Sequence, residues 1–401
     1  MDKQKPVTDW ITDFDILDPG YTENPGPIWR DMRERCPMAH TERWGGSWMA
    51  MGYEDVQALI RRVPELSSRQ PTILPIMEGK DLLAEYNTDL LPPITKDPPD
   101  SIPLRRLILP FFTPKAVEKY RSFTEQLCHD LIDGFIDKGA CDGAADYARQ
   151  ISPRVMGHLL GIDPAQSEDF LTWVQGFIEF GASDYAVRAK NYRIIRDFFA
   201  EQVARRRREL GQDFISELLT KEIDGQPVTD RMIVNMCVLL LSAGIDTTWS
   251  TIGTTMLHFA TYAEDRRRLA GSPELLTSAI EEILRLYSPV SAGRIAMEDV
   301  EHGGSTIKRG ERMILNLPSA NRDPEIFDDP DEYIIDRDMN RHIAFGIGFH
   351  RCAGSNLARL EMQVALSVWF SRIPEFELSD PSAVTWSAGQ VRGARNVPVT
   401  F

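Results

Sequence analysis

Residues 345–354 are the part of this sequence whose residue types and spacing best suit chemistry. They read Phe-Gly-Ile-Gly-Phe-His-Arg-Cys-Ala-Gly, a loop punctuated by glycines that leads to Cys352. A strong helical pattern follows over residues 357–370. A cysteine just before a helix lies at the positive end of the helix dipole, where backbone N–H groups can bond its sulfur. The spacing therefore predicts a thiolate that can ligate a metal ion.

Two other interpretations of Cys352 stay open at this point. A lone cysteine is most often a small, buried hydrophobic residue. It can also be a nucleophile with a histidine as its base, and His350 is the nearest candidate. The two residues are only two positions apart, which does not by itself imply a local catalytic pair.

A second chemically interesting segment lies inside a long apolar helix. The pattern predicts a helix over residues 230–262, with Thr229 as its N-cap. Gly244 costs such a helix roughly 1 kcal/mol relative to alanine. Asp246 and Thr247 follow in the same apolar stretch. A threonine bonded to its own helix and an aspartate facing a water pocket would explain these two residues without any chemistry.

The loop that contains Cys352 resembles the haem-ligand loop of the cytochromes P450, whose pattern is FGxGxHxCxG. Every specified position of that pattern is met. Three further segments match the family's signatures, and the resemblance covers nearly the whole chain. Residues 243–248 resemble the oxygen-activating segment of the central helix, and residues 282–285 resemble the ExxR pair. Residues 97–106 are similar to DPPxHTxxR, with Ser101 at the position of the usual histidine.

The resemblance implies haem b as the cofactor, with the Cys352 thiolate as the ligand of its iron. It also implies that Asp246 and Thr247 supply protons for oxygen activation, and that Gly244 lets the helix bend or open over the haem. Further cofactor contacts are implied for His350, Arg105, Arg294, Phe345, Gly346 and Gly354.

The ExxR pair of Glu282 and Arg285 is expected to be structural. In the family this pair is buried and a third residue joins it, which here would be Arg322 or Arg337. These residues would support the cysteine loop without taking part in the reaction.

The elements that must position these residues are mostly helices. Strands are predicted over residues 47–51, 313–317 and 397–401, and a helix over residues 53–62. Residues 70–93 and 321–337 are predicted to be irregular. The expected fold class is mainly α with small β-sheets. The resemblance makes this the P450 fold, with the haem between the central helix and the cysteine loop. Residues 1–401 would form a single haem domain without a reductase or ferredoxin domain.

Composition and charge exclude several classes of protein. The chain has 401 residues, with 45 Lys and Arg against 60 Asp and Glu, which gives a formal charge of −15. Such an acidic balance argues against nucleic acid or anionic membrane as a main partner. No apolar run reaches the roughly 20 residues that span a bilayer. Five cysteines without a CxxC pair do not resemble a disulfide framework. A cytoplasmic, monomeric protein is expected.

The resemblance implies a monooxygenase that inserts one oxygen atom from O2 into an apolar small molecule, by hydroxylation or oxidative dealkylation. Electrons would come from a separate ferredoxin. That donor would dock on basic residues near the cysteine loop, namely Arg105, Arg106, Lys115 and Arg351. The substrate pocket would be lined by residues 73–91, Leu240, Ala243, Thr247, residues 290–293 and residues 387–389. A peroxide-driven enzyme of the same fold and a non-catalytic haem sensor are the alternatives.

Overall fold

Most of the chain is helical, and three helices carry the ExxR pair, carry Asp246 and Thr247, or follow the cysteine loop. The computed structural model describes residues 5–36, 38–74 and 90–401. We call Asp230–Thr261 the central helix, Leu276–Leu286 the ExxR helix and Ser355–Arg372 the cysteine helix. The other α-helices are Pro19–Glu23, Pro25–Arg35, Tyr53–Arg61, Ser101–Ile108, Pro114–Val117, Arg121–Asp133, Arg149–Leu160, Ser167–Ile178, Tyr185–Arg208, Phe214–Leu218, Ala263–Gly271 and Leu317–Ala320. A π-helical turn, Gly143–Ala148, leads into Arg149–Leu160.

The central helix confirms its predicted bounds to within one residue. The Thr229 hydroxyl caps it by accepting a hydrogen bond from the Met232 N–H at 3.3 Å. This helix is long and apolar enough to cross a membrane, but 72% of its most apolar stretch is buried inside the molecule. Burial on most sides is typical of the core helix of a globular fold.

The strands are short and form one larger sheet with smaller ones beside it. The larger sheet has the order Met38–Thr41, Ser47–Ala50, Arg312–Leu315, Ala292–Ala296 and Leu66–Ser67. In it only Ser47–Ala50 and Arg312–Leu315 run parallel, among the residues described. A second sheet has the order Glu377–Leu378, Pro398–Thr400 and Ala140–Asp142. The two-stranded pairs are Glu222–Ile223 with Gln226–Pro227, Val300–His302 with Ser305–Ile307, and Thr385–Trp386 with Ala394–Asn396. The three predicted strands are confirmed, with ends shifted by one or two residues.

Gly244 packs against a neighbouring core helix. A Cβ atom built on it would lie 2.6 Å from the sulfur of Met156, on Arg149–Leu160. A larger residue here would therefore require the Met156 side chain to move. The central helix is continuous through this position. Packing thus gives Gly244 a reason that the sequence pattern did not suggest.

The irregular regions agree with the prediction where the structure describes them. Residues 321–337 contain turns and no helix or strand. Of the predicted loop at 70–93, residues 75–89 lie outside the described residues. The part of the predicted pocket wall that falls on them therefore stays a prediction.

Candidate active site

The loop before the cysteine helix folds back on itself and presents Cys352. The backbone N–H of Cys352 donates to the carbonyl of Phe345 at 2.8 Å. Gly346 and Gly348 have φ angles of 64° and 71°, a backbone conformation that residues other than glycine adopt only at an energetic cost. These two glycines allow the chain to turn tightly, and the helix begins three residues after the cysteine, at Ser355. The predicted loop geometry is confirmed.

The surroundings of the Cys352 sulfur act on its pKa in opposite directions. Burial is the largest influence and raises the pKa of the thiol. The backbone N–H of Gly354 opposes this by donating to the sulfur, as expected at a helix N-terminus. Three positive charges also oppose it, those of Arg105, Arg351 and Arg359. The net pKa is raised, so the helix end and the arginines alone do not produce a thiolate. A coordinated metal ion would, because a coordinating thiol is deprotonated outright.

Two accessible residues mark a space inside the molecule. Cys352 is exposed although burial dominates its pKa. In the middle of the central helix, Ala243 is exposed while Leu241 and Ile245 are fully buried. Thr247, one turn further on, is half-buried. These residues therefore border an internal space, in agreement with a ligand between the central helix and the cysteine loop.

Asp246 points away from solvent into an ion-paired network. Its Oδ1 accepts from Arg395 Nη2 at 2.6 Å, and its Oδ2 is buried without a hydrogen-bond partner among the described residues. Arg395 also contacts Glu179 Oε2 at 3.1 Å and Ser250 Oγ at 2.9 Å. Its guanidinium carbon lies 4.0 Å from the ring of Trp249. Burial raises the pKa of Asp246 despite this cation, so the carboxyl group can hold a proton more readily than a solvated one.

The Thr247 hydroxyl bonds to its own helix. Its Oγ1 donates to the carbonyl of Ala243 at 2.7 Å. A threonine bonded to its own helix is the alternative that the sequence analysis left open. In this arrangement the hydroxyl hydrogen is already used in the bond to Ala243. The oxygen lone pairs remain available as acceptors. The structure therefore places Thr247 at the internal space without showing it as a donor into that space.

The ExxR pair is fully buried, and the structure decides its third member. Glu282 binds Arg285 through both carboxylate oxygens, at 2.7 and 2.8 Å. Arg337 Nε adds contacts of 2.9 and 3.1 Å to the same carboxylate. Arg322 instead donates to the carbonyl of Leu286. Arg337 is therefore the partner, and Arg322 is not.

Comparison with known proteins agrees with these features. A family model described as Cytochrome P450 matches residues 272–383. PksS of Bacillus subtilis, a polyketide biosynthesis cytochrome P450, is 30% identical over 95% of this chain and 96% of its own length. The chain belongs to the cytochrome P450 family. A vitamin D(3) 25-hydroxylase from Pseudonocardia autotrophica is 32% identical over 96% of both chains. The solved structure of PksS covers 96% of this chain and 99% of its own, with a TM-score of 0.87 and 28% identity. That of P450BioI with an acyl-ligated carrier protein covers 95% and 99%, with a TM-score of 0.85 and 30% identity.

The predicted P450 fold is thereby confirmed, as is the class of enzyme, a P450 monooxygenase. The family implies a haem-thiolate cofactor. The roles of individual residues stay predictions, and the geometry of this chain tests whether those residues fit such a group.

Arg294 fits a negatively charged group of a P450 cofactor. It is 5% exposed, and its Nη1 donates only to the neighbouring Gly293 carbonyl, at 2.7 Å, among the contacts described. Its Nε has no hydrogen-bond partner in the described part of the chain. Burial lowers its pKa to about 10, and the negative charge of Asp97 opposes that change. A buried cation with a vacant donor is costly unless an anion satisfies it, as a haem propionate would.

His350 and Arg105 lie near this cation but have protein partners of their own. His350 Nε2 is 2.9 Å from Ser68 Oγ and 3.5 Å from Asp97 Oδ1. Arg105 Nη2 donates to the carbonyl of Arg351 at 2.8 Å. Charges on Asp97, Arg294 and Arg105 all act on His350, so the four residues form one cluster. Ser101, at the position of the family's usual histidine, is buried and its hydroxyl has no partner within the described ranges.

Sequence analysis did not anticipate the polar environment of three residues. Arg395 reaches Asp246 from a strand 149 positions away in sequence, with no motif around it. Ser387, predicted to line the pocket, uses its hydroxyl to bond the carbonyls of Val391 and Gly393. Gln70 is 1% exposed, and neither its amide nitrogen nor its oxygen has a partner among the described residues. The contact of Arg395 has no local signal, because it depends on how distant segments pack, whereas the Ser387 bonds reach residues only four and six positions away.

Proposed function

We propose that this chain binds haem b through the Cys352 thiolate and uses O2 to oxidise an apolar small molecule. The observation that supports this most directly is the pairing of two elements: a backbone-fixed sulfur after a glycine loop, and an accessible mid-helix segment at Ala243. The cofactor, when bound, supplies the oxidising chemistry, and a thiolate ligand favours O–O cleavage. The protein binds the substrate, excludes water and supplies protons.

Asp246 is proposed as the residue that passes protons into the site. Its buried Oδ2 is free to exchange a proton, while Arg395 holds Oδ1. Because burial raises the pKa of Asp246, the carboxyl group is better matched to proton transfer near neutral pH. Thr247 would accept a hydrogen bond on its oxygen, or donate after leaving the Ala243 carbonyl. Intact proton-handling groups favour O2 and external electrons over peroxide as the oxidant.

The predicted pocket residues that the structure describes are apolar, which supports an apolar substrate. Ala243 is exposed on the central helix, Leu240 is buried on the same helix, and Ile73 is buried in a separate apolar cluster. The names of two relatives point the same way, the vitamin D(3) hydroxylase and a steroid C26-monooxygenase. A screen of terpenoids, steroids, aromatics and fatty acids for a haem spin-state shift tests the proposal. The panel should include acyl chains on a carrier protein, because P450BioI was solved with one. Faster turnover with peroxide than with ferredoxin would favour the peroxide-driven alternative.

We predict that Arg294→Gln weakens haem retention by about 10- to 100-fold, because one charge-assisted hydrogen bond contributes about 1.5–3 kcal/mol. Transfer of haem to an excess of apo-globin measures the rate. The same change should stabilise the haem-free protein, since it removes an unsatisfied buried cation. Arg312→Gln is the matched control, because Arg312 is equally buried on the adjacent strand and also has one donor, Nη1, without a partner among the described residues, but its Nη2 donates to the carbonyls of Trp44 and Gly46. Equal haem loss in both variants would contradict a direct role for Arg294.

A separate ferredoxin is proposed as the electron donor, docking on Arg105, Arg106, Lys115 and Arg351. Three of these residues are exposed and Arg105 is half-buried, and the half-exposed ring of Phe349 lies beside Arg351 in sequence. A basic surface next to the cysteine loop would attract an acidic donor despite the net negative charge of the chain.

We predict that Arg106→Glu slows the first electron transfer about tenfold at low salt, while the haem spectrum stays unchanged. The effect should shrink as salt is added, because exposed charges are screened beyond roughly 8–10 Å at physiological ionic strength. Stopped-flow reduction by ferredoxin measures the rate. Lys308→Glu, a reversal of an exposed charge outside the patch, should leave the rate unchanged. Equal rates for wild type and Arg106→Glu would argue against this docking surface.

A further inference from the structure

Arg359 is held in a fixed position on the cysteine helix by a carboxylate of the ExxR helix. Its Nε and Nη2 donate to the two oxygens of Glu281 at 2.6 and 2.7 Å, the paired geometry that orients a guanidinium plane. His342 Nε2 lies 2.9 Å from the same carboxylate. Burial opposes the shift, but hydrogen bonds from Arg359 and His342 lower the pKa of Glu281 to about 2. Glu281 therefore stays ionised, and the pair is close to neutral overall.

The other side of this guanidinium faces the cysteine loop. The Arg359 Cζ atom lies 4.5 Å from the ring centroid of Phe345, which suits a cation–π contact. The carbonyl of Phe345 accepts the backbone hydrogen bond of Cys352 at 2.8 Å. A continuous path of contacts therefore runs from Glu281 through Arg359 and Phe345 to the backbone of Cys352. The charge of Arg359 also acts on the Cys352 sulfur directly.

We propose that Arg359 is a positioning residue that holds Phe345 and Cys352 in register and tunes the reduction potential, with Glu281 balancing its charge. This inference rests on the proposed ligation of haem iron by Cys352. Reduction of the iron adds one negative charge near the sulfur, so a nearby cation favours the reduced form and a nearby anion disfavours it. The Glu281–Arg359 pair sets that balance, because removing Glu281 leaves the Arg359 cation uncompensated, and removing Arg359 leaves Glu281 with His342 as its remaining partner.

The test is the ferric/ferrous potential of the purified holoprotein in four variants. Arg359→Gln removes the cation and leaves Glu281 with only His342 as a partner, so the ferrous-to-ferric ratio at a fixed potential should fall about tenfold, which equals about 59 mV for one electron. Glu281→Gln leaves the cation unpaired and should raise the ratio several-fold. The double variant has a neutral pair and should return to within about twofold of wild type. Arg359→Lys keeps the charge but not the planar contact. It should keep the potential while losing part of the thiolate band of the reduced carbon monoxide complex.

Arg372→Gln is the matched control. Arg372 lies on the same helix, is as exposed as Arg359, and is also paired with a carboxylate, that of Asp133. It is thirteen residues further along, about 20 Å at 1.5 Å per residue, so its loss should not move the potential. A shift in Arg359→Gln no larger than this control would overturn the inference. Shifts of the potential in the same direction in Arg359→Gln and Glu281→Gln would also overturn it. A charge effect must move the potential in opposite directions in these two variants, whereas a general disturbance of the structure need not.

The same experiment separates the inference from the proposed function. A wild-type protein without the thiolate band would overturn the ligation by Cys352, and the inference with it. A normal band with an unchanged potential in Arg359→Gln would overturn the inference alone. If Arg359→Gln takes up no haem, the inference is still tested by Glu281→Gln. Only the tuning role predicts that the ferrous-to-ferric ratio rises in that variant.

Discussion

Replacing Cys352 with serine is expected to abolish the reduced carbon monoxide band that gives the cytochromes P450 their name. A serine hydroxyl is not ionised near neutral pH, and it lacks the soft sulfur that donates electron density to iron. Monooxygenase turnover should fall by more than about 100-fold. Losing only a residue that hydrogen-bonds to a metal ligand typically costs up to about 100-fold, and here the ligand itself is lost. The measurement is the difference spectrum of the dithionite-reduced protein with and without carbon monoxide, followed by product analysis with an electron donor.

The other cysteines provide the controls. Cys237 is fully buried in the central helix, where burial raises the pKa of its thiol far above the ordinary value. Cys141 is half-buried, and burial raises the pKa of its thiol to about 12. Both should remain protonated and unreactive. Cys237→Ser and Cys141→Ser should keep the band, with some loss of stability for Cys237→Ser because a hydroxyl would be buried. A band that survives in Cys352→Ser would show that another residue ligates the iron.

The local parts of the site were predictable because short-range rules govern them. Glycines and a following helix start decide how the chain turns before Cys352, so the sequence alone indicated a loop that presents the sulfur. Thr229 and the apolar run after it likewise specified the central helix. In both cases the interactions that decide the structure lie within a few residues of each other, where spacing determines geometry.

The parts that could not be predicted depend on distant packing. The motif left Arg322 and Arg337 as equal candidates to join Glu282, because both lie in the same irregular region. Only the folded structure shows that Arg322 donates its hydrogen bonds to the carbonyl of Leu286. The strand Leu66–Ser67 could not be predicted for the same reason. Two residues carry almost no local signal for a strand, and this strand exists because it pairs with Ala292–Ala296.

Side-chain orientation was the other limit. Spacing placed Thr247 in the right turn of the central helix, but it could not tell whether the hydroxyl faces the site or its own backbone. The structure shows the bond to the Ala243 carbonyl. The family resemblance also implied that Gly244 lets the helix bend, whereas in the structure the space beside Gly244 is filled by the Met156 side chain of a neighbouring helix. A sequence pattern can thus identify an unusual residue correctly, while the interaction that explains the residue depends on another part of the fold.

The largest expected effect on stability follows from Glu282→Gln. Both side chains of the pair with Arg285 are fully buried, and the carboxylate also accepts from Arg337, Asn340 and the backbone N–H of Ile334. The amide cannot accept from all of these donors and carries no charge, so two arginines would be left uncompensated. Breaking a buried pair in this way costs about 3–5 kcal/mol, a large part of the 5–15 kcal/mol that is typical of a whole domain.

The loss should reach the cysteine loop as well as the global fold. Arg285 also donates to the carbonyl of Asn321 at 3.0 Å, and the side chain of Asn321 accepts the N–H of Ile343 at 2.7 Å. Ile343 in turn accepts the N–H of Gly346, the first glycine of the loop. Glu282→Gln should therefore be recovered mostly without haem, which the haem absorbance per mole of protein measures, and urea should unfold it at a lower concentration by circular dichroism.

Arg268→Gln separates this effect from the loss of an ordinary ion pair. Arg268 pairs with Asp336, and both side chains are about half exposed, so the change should cost no more than about 1 kcal/mol. If Glu282→Gln lost no more stability than Arg268→Gln, the buried network could not be what supports the loop. If it lost stability but kept haem as wild type does, the network would stabilise the fold without positioning the ligand. A loss of both is expected, because the same hydrogen bonds that neutralise Glu282 continue, residue by residue, to the turn before Cys352.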